Sequence, residues 1–430
     1  MSKLDRNISP DIHPISDIQL IPPRICHLDN GIPMYIFDNE QLDLIHIIIS
    51  LKIGVLTEQQ KHITRFTYKL LKESSERYSS NEIADLFAFY GTHYSTSVAL
   101  DKTDIKLCIP KHNCNTVLPV VYDFLAHPKF RESNLSIYKN RQIKDLEYNS
   151  CKTDFRATKL MLNTLFGEQT TAGQFSTKEN LQSVTIEQMA DYHDLTFQAE
   201  NMTIFATGNI DTDIEQCISR LFSQIPTHQH EPLSFNGLAA PVTPAAIINE
   251  KMPDCLQSTI ELGMPFIGYN NPEHYDFDIL TTIFGGYFGS RLMQNLREKH
   301  GYTYGISADA VYFNDESIFI MSSDVNVNDT RPAMEACFEE MARLQEELVP
   351  PEELQAVQSY LLGEVLRDID NSVSYMKEYS FWHKFGLDEQ EFSRHIDHIR
   401  NIRAERIQEL AKKYFNYNNF TQIIVGDKFD

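Results

Sequence analysis

The strongest constraint on this chain is that part of it occurs twice. The stretch VTIEQMADYHDLTFQAENMTIFATGN, Val184 to Asn209, aligns without a gap with IRAERIQELAKKYFNYNNFTQIIVGD, Ile402 to Asp427, at an offset of 218 residues. Glu187 meets Glu405, Phe197 meets Phe415, Asn201 meets Asn419, Thr203 meets Thr421 and Gly208 meets Gly426. Each copy reads as an amphipathic helix, a polar turn and a short β strand closed by glycine. A helix and a strand that return in the same order half a chain apart imply two lobes of one design.

A looser match points the same way. Gly91-x-x-Tyr94 and Gly301-x-x-Tyr304 each precede a strand-like run, DIKLCIP and SIFIMSS. Between the copies, IPTHQHEPLSFNGLAAPVTPAA is proline-rich and aperiodic, as a linker should be. The expected organisation is therefore a lobe over 1–225, a linker over 226–242 and a lobe over 243–430. A chain of 430 residues, 42% of them hydrophobic, can supply the cores this requires. Apolar periodicity predicts helices over Ile63–Lys72, Ser80–Tyr90, Asn115–Ala126, Glu132–Glu147, Arg331–Leu348 and Pro351–Arg367. Ser79 or Ser80, and the Pro350-Pro351-Glu352-Glu353 run, are sound helix starts. Strands and helices alternate irregularly with no glycine-rich phosphate loop after a strand, so the fold class is α+β, two α/β sandwich lobes, rather than a nucleotide-binding doubly wound sheet.

Composition removes several functions. A formal net charge of −22, with no basic patch interleaved with aromatics, argues against nucleic acid. Such acidity could steer basic peptides, although a plain acidic surface explains it more simply. The seven cysteines, Cys26, Cys108, Cys114, Cys151, Cys217, Cys255 and Cys337, are scattered and never form a CxxC pair, which fits reduced thiols. The most apolar run, Leu42 to Gly54, is too short for a bilayer and is interrupted by His46, Ser50 and Lys52, so it reads as a buried strand. MSKLDRNISPDIHP lacks the features of a secretory signal, and a cytoplasmic location with no membrane partner is expected.

The most specific stretch is FGGYFGSRLMQNLREKHGYTYGISA, Phe284 to Ala308. Its Gly-Gly, Ser-Arg-Leu, Leu-Arg-Glu and Gly-x-x-Tyr elements resemble the signature of the insulinase-like M16 zinc metallopeptidases and their processing-peptidase relatives. The duplication, the linker and NGIPMYIFDNE (Asn30 to Glu40) are similar to that family too, so the resemblance spans nearly the whole chain. It implies the two-lobed metallohydrolase sandwich of that family.

The resemblance also implies an H-x-x-E-H zinc motif on a first-lobe helix with a distal Glu as third ligand. Two imidazoles one helical turn apart would hold the metal, and the glutamate between them would activate its water. Counted back from Leu70-Leu71-Lys72-Glu73-Ser74-Ser75, the motif falls on Arg65-Phe66-Thr67-Tyr68-Lys69. Arg65 and Lys69 stand where the imidazoles would be and Tyr68 where the general base would be. A protonated guanidinium or ammonium cannot ligate zinc. None of the fifteen histidines begins H-x-x-E-H or H-E-x-x-H. Asp145 and Glu147, the nearest third ligands, would have no partners. His395 and His398, with Asp397 between, have a spacing that could hold a metal but read as a solvated helix face, and His228 and His230 read as solvated linker residues. No metal is expected in this chain.

One element of the family's chemistry is matched. An Arg and a Tyr seven residues later bind the substrate carbonyl and steady its oxyanion, and here they fall on Arg297 and Tyr304. A charged fork and a phenolic donor suit a developing negative charge. The competing reading is a helix-end Arg and a strand Tyr packed in the lobe core. The resemblance implies a clamshell in which the second lobe of one unit faces the zinc-bearing lobe of another. The expectation is a non-catalytic subunit that pairs with a homologous HxxEH-containing peptidase, which would carry the zinc, and that lines a chamber for peptide substrates. A homodimer is left open. The alternative is a peptidase-derived scaffold or peptide-binding protein without a catalytic role.

Overall fold

The computed structural model describes residues 20–227, 233–235 and 245–428. The N-terminal segment read for targeting, most of the linker, and His228 and His230 lie outside the described residues. Two sheets organise the chain. The first contains β1 (Arg24–His27), β2 (Pro33–Asp38), β3 (Leu44–Leu51), β4 (His93–Val98), β5 (Thr103–Pro110) and β6 (Met202–Gly208), in the order β1-β2-β6-β3-β5-β4. The second contains β7 (Ile247–Lys251), β8 (Gln257–Ile267), β9 (Thr303–Phe313), β10 (Glu316–Asn326) and β11 (Thr421–Gly426), in the order β7-β11-β8-β10-β9.

Without β1, the sheets are copies of each other. β2 lies parallel to β6 as β7 does to β11, and every other neighbouring pair in both is antiparallel. The repeat read from the sequence is where the structure matches best. Helices Ile186–Thr196 and Ala404–Tyr414, and the short turns Ala199–Asn201 and Tyr417–Asn419, keep the offset of 218 residues. The paired Phe197 and Phe415 are both buried. Gly91 and Gly301 both take positive φ, 62° and 69°, a conformation an L side chain disfavours, and each reverses the chain into its lobe's edge strand.

Helix ends obey local chemistry. The Ser79 hydroxyl accepts from the Glu82 amide while the Glu82 carboxylate accepts from the Ser79 amide, so the second serine-start candidate, Ser80, is the first helical residue. Pro351 opens helix Pro351–Arg367 with Glu352 and Glu353 in its first turn. The predicted helix from Ile63 stops at Leu70 and tightens into a 3-10 turn, Leu71–Glu73.

In each sheet one face is covered by helices of its own half. The other is partly covered by a helix from the opposite half. Helix Thr153–Phe166 lays Ala157, Met161, Leu165 and Phe166 against Ile423 and Val425 of β11 and Ile318 of β10. An ideal Cβ at Gly263 of β8 would come 2.4 Å from Met161 Sδ, a measure of how closely this helix approaches. Reciprocally, helix Ser372–Lys384 covers Phe37 of β2 and Phe205 of β6, with Tyr375 5.0 Å from Phe37 and His383 5.4 Å from Phe205, ring centre to ring centre. The boundary between lobes in sequence is thus not the boundary in space. Among the described residues no helix is long and apolar enough to cross a membrane.

Candidate functional site

Arg297 and Tyr304 meet at the surface of the second lobe. Arg297 lies on a π-helical turn, Met293–Lys299, one of two that flank the glycine-rich Gly285–Gly289 loop. Such wide turns disturb the regular ladder and often mark functional positions. The guanidinium carbon sits 4.5 Å from the centre of the Phe288 ring and 5.1 Å from that of Tyr304, so the cation lies against two aromatic rings. Its nearest carboxylate contact is Glu298, at 3.5 Å.

A bulge explains why Tyr304 is available. Along β9, Ile306 and Ala308 point into the core, and strict alternation would send Tyr304 there too. Pairing of β9 with β10 slips between Ser323 and Val325. The Thr303 hydroxyl donates to the carbonyls of Gly305 and Asp324 at 2.8 and 2.7 Å, and the Ser323 hydroxyl donates to the Gly305 carbonyl at 2.9 Å. These bonds pin the residues on either side and turn Tyr304 outward, where it is 89% exposed. The packed-core reading of this pair is therefore corrected for Tyr304.

Arg297, Phe288 and Tyr304 line a concavity of about 590 Å³ that also takes in Asp154, Ser307 and Asp324. Asp154 comes from the first half of the chain, on the first turn of the helix lent to the second sheet. Sequence reasoning missed Phe288, Asp154 and Asp324. Phe288 carried a signal, since a phenylalanine between glycines in a loop has no core to enter. The two aspartates carried none: Asp154 arrives only through the lent helix, and Asp324 is brought opposite Tyr304 by the pairing of β10 with β9.

The positions of the missing zinc motif divide. Arg65 is exposed and Lys69, one turn later, is half-buried and donates to the Thr96 carbonyl of β4. Tyr68 is fully buried, its hydroxyl 2.9 Å from that of Thr196. Burial holds its phenol well above the ordinary range. Of the three motif positions, Tyr68 belongs to the core of the first lobe. The helix is fixed at its start by Glu58, whose carboxylate accepts from the amides of His62 and Thr64 at 3.0 and 3.1 Å. Asp145 and Glu147 are exposed, Asp145 lying 4.0 Å from Arg141. Two cations and a core tyrosine do not fit zinc. Among the described residues no group of three His, Cys, Asp or Glu could hold a metal ion.

His395 and His398 are also corrected. His398 Nδ1 lies 2.9 Å from Asp276, and its ring stacks on Tyr275 at 4.5 Å. Burial, with help from His274 and His398, pushes His395 down to about 4. The two histidines, both partly buried, lie on the side of the helix that packs against Glu273–Thr281, while Ser393, Arg394, Asp397 and Arg400 form its solvated face.

Comparison with known proteins agrees with the architecture. Residues 39–177 match the model for insulinase (peptidase family M16), and residues 183–361 the model for the peptidase M16 inactive domain. An uncharacterized zinc protease of Rickettsia bellii is 23% identical over 94% of this chain and 97% of its own length, and one of Bacillus subtilis is 20% identical over 90% and 94%. A peptidase M16 inactive domain structure from Pseudomonas fluorescens superposes with a TM-score of 0.86 over 95% of this chain and 98% of its own, at 16% identity. A protease from Helicobacter pylori also gives 0.86, over 94% and 100%, at 14% identity. With both lobes matched in order along the chain, the protein belongs to the M16 family of peptidases.

Proposed function

We propose that this chain is a non-catalytic M16 subunit that pairs with an HxxEH-bearing homologue and completes its peptide-binding chamber. The observation that carries the reading is the Arg297–Tyr304 pair, held 5.1 Å apart at the mouth of a concavity by a π turn on one side and a bulge on the other. A guanidinium beside a fully accessible phenol can grip a peptide carbonyl and stabilise negative charge that develops on its oxygen. The same chain places cations and a buried tyrosine where its relatives would carry a hydrolytic centre. It therefore supplies binding and charge stabilisation, while the partner supplies the zinc and the nucleophilic water.

The test is reconstitution. The purified chain alone should not cleave unfolded peptides, and mixing it with a homologue that carries H-x-x-E-H should give activity that neither shows alone. Cleavage by the isolated chain, or a mixture no faster than the partner by itself, would refute the reading.

A further inference from the structure

The concavity beside Arg297 and Tyr304 has an acidic floor. Asp154 and Asp324 are exposed in it, the first carried by the helix lent from the other half of the chain and the second by β10. Glu261 lies next to them on β8 and is only 3% exposed. Strand pairing sets the group in one patch. Glu261 is opposite Ser322 and Thr259 opposite Asp324, so these side chains share the sheet face over which the lent helix passes. Hydroxyls tie the patch to that helix. Glu261 accepts from Thr158 at 2.8 Å and from Ser322 at 3.3 Å, and Thr259 donates to Asp324 while lying 2.9 Å from the hydroxyl of Thr153, the neighbour of Asp154.

None of the three carboxylates is neutralised. Among the described residues no lysine or arginine forms an ion pair with Asp154, Asp324 or Glu261. Arg297 shares the concavity, but it lies against the rings of Phe288 and Tyr304 and its nearest carboxylate contact is Glu298. One oxygen of Glu261, Oε2, is buried with no hydrogen-bond partner at all. Burial, and then the charges of Asp324 and Asp154, push that carboxyl up to about 7 against the pull of its two hydroxyl donors. A buried acceptor left open beside two exposed aspartates is complementary to a cationic donor.

We infer that this floor takes the ammonium group of a lysine side chain in the peptide that Arg297 and Tyr304 hold. The acceptors come singly from separate elements, Asp154 from a helix, Asp324 from β10 and the Ser307 hydroxyl from β9, which suits the three divergent donors of an ammonium better than a planar guanidinium fork. The rings of Phe288 and Tyr304, which could stack a guanidinium, are already engaged by Arg297. Tyr287, in the same wall, offers its ring to the lysine stem. Such selectivity rests on Arg297 and Tyr304 gripping the peptide, as proposed above, and adds the side chain that the gripped peptide presents.

The experiment is calorimetric titration of the full chain, at low ionic strength, with an unstructured peptide capped at both ends and holding one lysine. The same peptide acetylated on that lysine, and a version with arginine in its place, are titrated alongside. The lysine peptide should bind about tenfold tighter than the acetylated one, and the double variant Asp154→Asn/Asp324→Asn should remove that advantage. Both aspartates are exposed and asparagine keeps an acceptor for Thr259, so the fold stays intact. Glu261→Gln should shrink the advantage as well. Arg297→Ala should instead weaken all three peptides. Equal affinity for the lysine and acetylated peptides, an advantage that survives the double variant, or tighter binding of the arginine peptide would overturn the lysine assignment and leave the Arg297 grip standing. A lysine advantage lost in the double variant, with affinity unaffected by Arg297→Ala, would uphold the lysine site and refute the grip. No binding of any peptide would overturn both.

Discussion

Asp101 and Lys384 form an ion pair of 2.7 Å that joins the two halves of the chain, with both side chains largely buried. Asp101 also accepts the Asn314 amide at 2.8 Å, tying the loop between β4 and β5 to the turn between β9 and β10. Lys384→Met would leave that carboxylate buried without its counter-charge and should destabilise the protein by about 3 kcal/mol. Adding Asp101→Asn should recover a large part of the loss. Urea unfolding of the two variants checks both statements.

Glu261 should make stability depend on pH in a particular direction. It lies in β8, accepts from Thr158 at 2.8 Å and Ser322 at 3.3 Å, and keeps its second oxygen buried without a partner. Burial pushes it from 4.5 up to about 7, against the pull of those two hydroxyls. The folded protein then retains a proton that the unfolded chain has released, so this contribution is full below about pH 4.5 and is lost as the pH rises through about 7. Glu261→Gln, which cannot ionise, should be about 2–3 kcal/mol more stable than the parent at pH 8 and nearly equal to it at pH 4.5. Unfolding curves at the two pH values decide it.

Rebuilding the zinc motif should fail for a reason of packing. Arg65→His and Lys69→His change side chains that are not in the core, but Tyr68→Glu places a carboxylate in a fully buried position beside Thr196. An unpaired buried charge and the lost aromatic volume should together cost at least about 3 kcal/mol. The triple variant is expected to melt well below the parent and to take up no stoichiometric zinc by elemental analysis. The unaltered chain is expected to carry none either.

Arg297→Ala in the reconstituted enzyme should lower turnover by about 10²–10³, the usual loss for one oxyanion donor. Tyr304→Phe should lower turnover as well. Because Tyr304 is 89% exposed, the melting temperature of that variant should stay at the parent value. A loss of rate without loss of stability, measured by steady-state kinetics and thermal unfolding, separates a role at the site from a role in packing.

Much of the fold could be read from the residues because duplication writes it twice. The copies beginning at Val184 and Ile402 specify a helix, a turn and a strand in the same register, and all three form. Arg297 and Tyr304 were legible only through the stretch around them. Their proximity depends on a bulge in β9 at Tyr304 and Gly305, opposite Asp324, of which a glycine inside the strand is the one local sign. The fate of Tyr68 was hidden because adjacent helical positions point about 100° apart, so a motif can be split between surface and core by its register alone. His395 and His398 were misread because their polar neighbours suggested solvent, whereas Tyr275 and Asp276 arrive from a distant segment.

The reciprocal lending of helices has a consequence for how the protein is made. Phe37, Ile48 and Phe205 are finished early in synthesis, yet the rings that cover them, Tyr375 and Tyr379, come near the end. A ribosome-bound first half therefore presents an apolar sheet face with nothing to shield it, a state that invites aggregation or chaperone capture. The second half is no more self-sufficient, because β11 needs Met161 and Leu165 from its predecessor. Neither half is a separable module, and a gene cut at the linker would yield two products that must find each other before either is complete.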